Sequence, residues 1–331
     1  MKAAVLEQQD NISNVPLKIR EVLEPHPINN EVRLKVAACG VCRTDLHIIE
    51  GDLTQPKLPL ILGHQVVGVV DEPGPTATKF KLGDRVGVTW LYRACGMCKF
   101  CKKGLENLCD SAQFTGYTTN GGYAEYLVVP ENFVVPVPQI FSDIQAAPLL
   151  CAGVIGYRSL RHCQVTAGDT LGLIGFGASA HLVIQVAKYL GIRVFVFTRN
   201  GKHQDFARRL GAEWVGDVAV DPPQKLDAAI IFAPVGELVP SALKQLDKGG
   251  RLVINAIHMT PIPQFEYRNL WQERSIKSVA NITRQDTYEF LDLAAKIPLK
   301  VTTKEYSLES ANSALLHLKQ GLLEGSAVFK I

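Results

Sequence analysis

Seven cysteine and histidine residues fall into two groups, and their different spacing constrains this chain more than any other feature. The first group lies in a single run, CGMCKFCKKGLENLC, which contains Cys95, Cys98, Cys101 and Cys109. Four thiolates so close in sequence can surround one tetrahedral ion and leave no position for a substrate, which is typical of a structural zinc site. The run therefore predicts a zinc lobe at about residues 90–112.

The second group, Cys42, His64 and Cys151, is spread over more than a hundred residues, and it is singled out by the resemblance to a known enzyme family that the motifs below carry. Three ligands from separate segments, with a fourth position left for water or substrate, are typical of a catalytic zinc site. Zinc held by two thiolates and an imidazole remains a Lewis acid that promotes ionisation of an alcohol. Together the two groups predict a metalloenzyme with two Zn²⁺ ions per chain.

Composition and charge exclude several other classes of protein. A formal net charge of +3 provides no field that would recruit nucleic acid. No run approaches the roughly 18 apolar residues of a membrane helix, and no apolar segment typical of an export signal follows Met1. We therefore expect a cytoplasmic protein whose thiols are reduced and bind metal. Cys39 and Cys163 are expected to be small buried residues outside both groups.

The pattern of the chain changes near Pro148. Before it, short Val-rich segments such as EVRLKVAAC and QVVGVVDEP alternate with turn residues, which predicts a mainly β domain. After about Gly153, apolar strand segments such as TLGLIG and IRVFVFT alternate with helical patterns such as HLVIQVAKYLG. This alternation predicts a doubly wound parallel α/β sheet of the Rossmann type.

A glycine loop indicates what the second domain binds. Gly175, Gly177 and Ala180 fill a GxGxxA pattern between a predicted strand and a predicted helix. The first glycine permits a tight turn, and the second lets the backbone approach a pyrophosphate at the helix N-terminus. The loop predicts binding of a nicotinamide dinucleotide, although a loop that serves packing alone would have the same pattern.

The end of the second predicted strand bears on which dinucleotide is bound. NAD-specific domains place a carboxylate there, on the ribose 2′-hydroxyl. This chain has Thr198 followed by Arg199, a neutral hydroxyl and a cation, which favours NADP over NAD. Alternatively, Arg199 is a solvated charge or stacks on the adenine, and NAD is accepted as well.

Five segments together resemble the zinc-dependent alcohol dehydrogenases of the medium-chain dehydrogenase/reductase superfamily. They are GVCRTDLH from Gly40, LGHQVVGVV from Leu62, the four-cysteine lobe, CAGVIGY from Cys151, and LGLIGFGASA from Leu171. The resemblance covers nearly the whole chain. It implies a GroES-like catalytic domain at 1–150, a Rossmann domain at 151–280, and a return segment at 281–331 that completes the catalytic domain.

The resemblance also implies roles for residues around the catalytic zinc. Asp45 would hydrogen-bond the ligand His64 and fix its tautomer, unless it forms only a structural salt bridge. Thr44 and His47 would form a proton relay with the cofactor ribose between them. Outside its motif, His47 would instead be interpreted as a surface histidine.

Two further positions near the predicted metal carry expectations from the resemblance. Trp90 stands where members acting on short alcohols place an aromatic wall of the substrate pocket, and a plain core tryptophan is the alternative. Gln65 stands where the family usually has glutamate, which removes one negative charge near the metal.

The sequence thus predicts an NAD(P)-dependent alcohol dehydrogenase acting on small or medium primary alcohols and the matching aldehydes. A polyol or amino-alcohol dehydrogenase on the same scaffold is the alternative enzyme. A zinc-scaffolded binding module is the alternative from another class, and it would bind one zinc and no dinucleotide. The resemblance further implies a homo-oligomer, with a tetramer favoured over a dimer.

Overall fold

The chain folds into two compact units in the computed structural model, which describes residues 1–331. The first unit comprises Met1–Val154, Asn281–Ala295 and Val301–Ile331, and the second comprises Ile155–Ala280 and Lys296–Lys300. The range 281–331, expected to belong wholly to the first domain, therefore lends five residues to the second unit.

The first unit is mainly β. Its strands and helices are β1 (Lys2–Leu6), β2 (Leu17–Glu21), β3 (Glu31–Gly40), α1 (Arg43–Ile49), β4 (Leu60–Ile61), β5 (Val66–Pro73), β6 (Arg85–Val88), β7 (Leu91–Arg93), β8 (Gln113–Phe114), β9 (Tyr126–Pro130), β10 (Val134–Pro136), α2 (Asp143–Ala146), α7 (Arg284–Lys296), β17 (Thr303–Ser307), α8 (Ala311–Lys319) and β18 (Ser326–Lys330).

A seven-stranded sheet organises this unit in the order β10-β6-β5-β3-β18-β17, with β9 also paired to β3. β3 is its central strand, and alternate side chains Val32, Leu34 and Val36 are buried, as the two-residue period of a strand requires. β18, from the end of the chain, pairs antiparallel with β3. The return segment therefore supplies strands to the sheet that the N-terminal segments begin.

The predicted zinc lobe has little regular structure of its own. Between the short strands β7 and β8 it contains only two single-turn 3-10 helices, Cys101–Lys103 and Glu106–Leu108. So short a segment buries few apolar side chains, and a metal ion is the usual substitute for a core in such lobes.

One ion pair anchors this lobe to the return segment. Arg284, the first residue of α7, donates from Nε to Glu106 Oε1 (2.9 Å) and from Nη2 to Oε2 (2.7 Å). Its backbone N–H donates to the same carboxylate, and its guanidinium lies 4.8 Å from the centre of the Phe133 ring. Burial raises the pKa of Glu106, but these bonds from Arg284 outweigh it and leave that pKa below its usual value.

Replacing Arg284 with methionine should destabilise the first unit, because the Glu106 side chain, only 10 % exposed, would lose its cation. Partial exposure of Arg284 screens the pair, so we expect a loss of about 1–2 kcal/mol at neutral pH. Urea unfolding of the zinc-loaded protein measures it. The matched control is Arg20→Met, which removes an exposed pair with Glu7 and should change stability by about 0.5 kcal/mol or less. Equal effects of the two substitutions would contradict the anchoring role.

The second unit contains a parallel sheet of six strands. Its elements are α3 (Ala152–Cys163), β11 (Thr170–Ile174), α4 (Ala178–Tyr189), β12 (Arg193–Phe197), α5 (Gly201–Arg209), β13 (Trp214–Gly216), β14 (Leu226–Ile231), α6 (Leu238–Gln245), β15 (Leu246–Ile254) and β16 (Ser275–Ser278).

The strand order β13-β12-β11-β14-β15-β16 is that of a Rossmann sheet, with the order reversing between β11 and β14. Every residue of β11 is buried, which explains its continuous apolar sequence, since helices cover both faces of a parallel sheet. The predicted fold class is confirmed. No helix of either unit is both long enough and apolar enough to cross a bilayer.

Candidate active site

The three dispersed ligands converge within the first unit. Cys42 immediately precedes α1, His64 precedes β5, and Cys151 precedes α3. Their potential ligand atoms all lie within 4.8 Å of one another. His64 is 1 % exposed, so the cluster lies at the edge of the buried core.

Asp45 contacts three segments of the first unit, those that contain Cys42, His64 and Tyr123. Its Oδ2 accepts hydrogen bonds from the Cys42 backbone N–H and from the Tyr123 hydroxyl, both at 2.8 Å. Its Oδ1 lies 3.3 Å from His64 Nδ1, an ion-pair distance without the alignment of a hydrogen bond. Asp45 is therefore the common partner of the elements that carry Cys42 and His64.

The side chains of this cluster shift one another's pKa values. A hydrogen bond from Cys151 holds the pKa of the Cys42 thiol well below its usual range, against the opposing effect of burial. The same contact with Cys42, together with burial, raises the pKa of Cys151. Burial lowers the pKa of His64, but the charge of Asp45 and the contact with Cys42 outweigh burial and raise it to about 10.

This donor set fits a zinc ion. Two sulfurs and one imidazole nitrogen converge, and Asp45 faces Nδ1 of the ring, which leaves Nε2 as the nitrogen available to a metal. A divalent cation would replace the protons that the three groups share. With three protein donors, a zinc ion held here would have one tetrahedral position left for a substrate or water.

The four lobe cysteines also converge, again with their sulfurs within 4.8 Å of one another. Cys95 Sγ and Cys101 Sγ are 3.9 Å apart. Two sulfurs bound tetrahedrally to one zinc are separated by about 3.8 Å, given Zn–S distances of about 2.3 Å. Backbone N–H groups of Cys98 and Cys101 point at the preceding sulfurs, Cys95 Sγ at 3.3 Å and Cys98 Sγ at 3.5 Å, as they would toward thiolates.

The predicted relay and pocket residues lie in the same unit. Thr44 Oγ1 is 3.5 Å from Cys42 Sγ, within the first turn of α1. His47 follows one turn later and is buried. Trp90 meets the His64 ring edge to face at 4.8 Å and stacks against Phe114 and Tyr117 at 5.4 and 5.8 Å.

Gln65 is buried directly beside the ligand His64. Its backbone carbonyl accepts a hydrogen bond from the Gly40 N–H at 2.9 Å. This bond ties the segment of His64 to the end of β3, two residues before Cys42. A neutral amide here adds no charge to a buried region that already contains Asp45.

The glycine loop in the second unit has the expected conformation. Gly175, directly after β11, has a φ of +88°, which favours glycine. Around Gly177 a side chain would meet no atom within 4 Å, so the backbone is open to a ligand. Ala180 is fully buried in α4, where a small residue permits close packing.

Thr198 lies at the carboxyl end of β12, next to the loop because β11 and β12 are paired in parallel. Its N–H donates to Gly216 O and its carbonyl accepts from Gln204 Nε2, both at 2.8 Å. Arg199 is exposed, and no ion pair involves its guanidinium. Asn200 caps α5 by accepting from the N–H groups of residues 202 and 203.

Sequence reasoning missed three contributors to the site. Tyr123 donates to the buried Asp45, and Phe114 and Tyr117 extend the aromatic cluster of Trp90. No motif marks these aromatic residues. Their only signal was their position in a segment otherwise rich in turn residues.

Comparison with known proteins agrees with this geometry. Residues 28–139 match the family model described as alcohol dehydrogenase GroES-like domain, and residues 180–296 match that described as zinc-binding dehydrogenase. The chain is 48% identical over 322 residues to the probable alcohol dehydrogenase AdhA of Mycobacterium tuberculosis (strain CDC 1551 / Oshkosh), covering 96% of this chain and 93% of that protein. It is 36% identical over 344 residues to an alcohol dehydrogenase of Geobacillus stearothermophilus, with full coverage of both.

A solved structure, CAD from Helicobacter pylori complexed with NADP(H), superposes with a TM-score of 0.91 at 25% identity, covering 99% of this chain and 97% of that one. The chain belongs to the zinc-dependent alcohol dehydrogenases of the medium-chain dehydrogenase/reductase superfamily. It is an NAD(P)-dependent oxidoreductase of alcohols and aldehydes, with zinc and a nicotinamide nucleotide as cofactors.

Proposed function

We propose that the enzyme acts on small and medium primary alcohols and reduces the matching aldehydes. The aromatic cluster beside the ligand His64 carries this proposal, because Trp90 and the rings that stack on it form an apolar surface next to the metal donors. Such a surface offers few hydrogen-bond partners to the extra hydroxyls of a polyol.

In this proposal the chain binds the metal and orients the groups that move the proton. Zinc, when bound, supplies a Lewis acid that lowers the pKa of the alcohol hydroxyl. Asp45 fixes the His64 ring, Thr44 contacts the reacting oxygen, and His47 passes the proton toward solvent. Gln65 keeps the surroundings of the metal free of a second carboxylate.

A steady-state panel of primary alcohols, secondary alcohols and polyols tests the substrate class. We expect kcat/KM for an unbranched primary alcohol to exceed that for a polyol by about tenfold or more, because the apolar surface leaves added hydroxyls unpaired. A preference for the polyol or for an amino alcohol would instead support the alternative dehydrogenase.

We also propose two zinc ions per chain, held by the two clusters. Cys98→Ser and Cys42→Ser are a matched pair, since each removes one sulfur from one cluster. Metal analysis should find about two zinc ions in the wild type and one in each variant. Cys98→Ser should lower the melting temperature, whereas Cys42→Ser should stay folded and lose turnover. Normal activity of Cys42→Ser would show that the ligand assignment is wrong.

The preferred nucleotide is proposed to be NADP. Support comes from two exposed cations without an ion pair, Arg199 just after β12 and Lys202 in the first turn of α5. Because Asn200 already occupies first-turn N–H groups of α5, a 2′-phosphate would be held mainly by side-chain cations. Thr198 adds no negative charge at this end of the strand.

Accordingly, kcat/KM with NADPH should exceed that with NADH, and Thr198→Asp should reverse the order by repelling the 2′-phosphate. Arg199→Met should lower kcat/KM with NADPH by roughly tenfold and leave kcat/KM with NADH unchanged. The matched control is Lys248→Met, an exposed lysine at the amino end of β15, which should affect neither nucleotide. If the wild type prefers NADH, Arg199 does not bind a 2′-phosphate, and its side chain either stacks on the adenine or faces solvent.

The assembly is proposed to be a homotetramer in the cytoplasm. β16 is an edge strand whose four residues are all exposed, and Ile276, Trp271 and Tyr267 expose apolar surface nearby. Such an edge favours pairing with another chain. The number of four subunits is inferred from the resemblance, because family members of this shorter length are often tetramers. All eight cysteines are free of disulfides, which fits a reducing compartment.

A further inference from the structure

His47 is hydrogen-bonded to the carboxylate of Asp52, a residue to which the relay described above gives no role. Its Nδ1 lies 2.8 Å from Asp52 Oδ2. The His47 side chain is 10 % exposed and that of Asp52 is 41 % exposed. This hydrogen bond therefore connects a buried ring with a partly solvated carboxylate.

The backbone after α1 is shaped to make this contact. α1 ends at Ile49, and Gly51 takes a φ of +86°, which reverses the chain and favours glycine. The Leu53 N–H then returns to the carbonyl of His47 itself, at 3.0 Å. Asp52, between Gly51 and Leu53, is thereby presented to the His47 ring.

A residue distant in sequence holds the turn in this form. The Gln9 side-chain amide donates to the carbonyls of Ile48 at 2.6 Å and of Leu53 at 3.0 Å. The next residue, Asp10, donates its backbone N–H to Ile49 O at 2.9 Å. Both sides of the turn are thus tied to the same N-terminal loop, which limits the positions open to Asp52.

We propose that Asp52 is the positioning residue of the proton relay, fixing His47 with its proton on Nδ1 so that Nε2 accepts the proton that leaves the alcohol through the relay. The inference rests on the proposed relay role of His47. A carboxylate accepts hydrogen bonds only, so the proton of this contact belongs to the histidine. When Nε2 accepts a proton, the ring becomes an imidazolium with two N–H bonds, and Asp52 compensates its charge until one proton leaves to solvent.

The test compares three variants of the zinc-loaded enzyme: Asp52→Asn, His47→Gln and the control Asp10→Asn. Asp10→Asn removes the same charge from the neighbouring loop, where the side chain accepts from Asn11 and Asn14. The readout is the single-turnover rate of NADP reduction by a primary alcohol in dilute buffer, together with KM. We expect Asp52→Asn to slow turnover about tenfold with little change in KM, because an amide can turn its N–H toward Nδ1 and reverse the tautomer. High concentrations of imidazole buffer should restore part of the rate.

The outcomes separate this inference from the proposed function. If His47→Gln slows turnover but Asp52→Asn matches Asp10→Asn, Asp52 does not position the relay. If His47→Gln itself leaves the rate unchanged, the relay role of His47 is wrong. Should Asp52→Asn fail to fold, ¹⁵N NMR of histidine-labelled wild type decides the question, with the His47 signals assigned by their loss in His47→Gln. A proton on Nε2 in neutral His47 would overturn the proposal.

Discussion

The first unit depends on one fully buried carboxylate, that of Asp45. A carboxylate removed from water is costly unless donors and a positive partner replace the water. Asp45 obtains them from three segments: the Cys42 N–H, the Tyr123 hydroxyl and the ring of His64. Because none of the three can move without leaving the charge unsatisfied, the carboxylate fixes the start of α1 and the loop before β5. The relative placement of Cys42 and His64 therefore depends on this carboxylate.

Much of the fold was predictable because its signals are local. The continuous apolar segments in the second half of the chain became β11, β12 and β14, since strands covered on both faces need no polar alternation. The first half was harder to predict. The segment DRVGVTWL divides into β6 and β7 around Trp90. The start of GYAEYLVVP lies outside any regular strand, although the backbone of Tyr123 is hydrogen-bonded to Leu62 and Ala4.

The site shows the same division between local and distant signals. Ligand spacing and motifs indicate the seven metal donors, and the structure brings each group together. The partners that support them could not be found this way, because their contacts cross long stretches of chain. Tyr123 reaches Asp45 across 78 residues, and Arg284 reaches Glu106 across 178. No periodicity records such a pair, and a single sequence holds no covariation to reveal it.

The two metal clusters are also joined by packing within the first unit. Glu106 of the zinc lobe fixes the start of α7 through Arg284. Further along α7, Phe290 lies against Gly153, where a Cβ would be 2.4 Å from its ring. Gly153 is two residues after Cys151, so α7 links the lobe to the segment that carries Cys151. The ion pair of Glu106 and the packing of Phe290 thus place one helix in contact with both the four-cysteine lobe and the segment that carries Cys151.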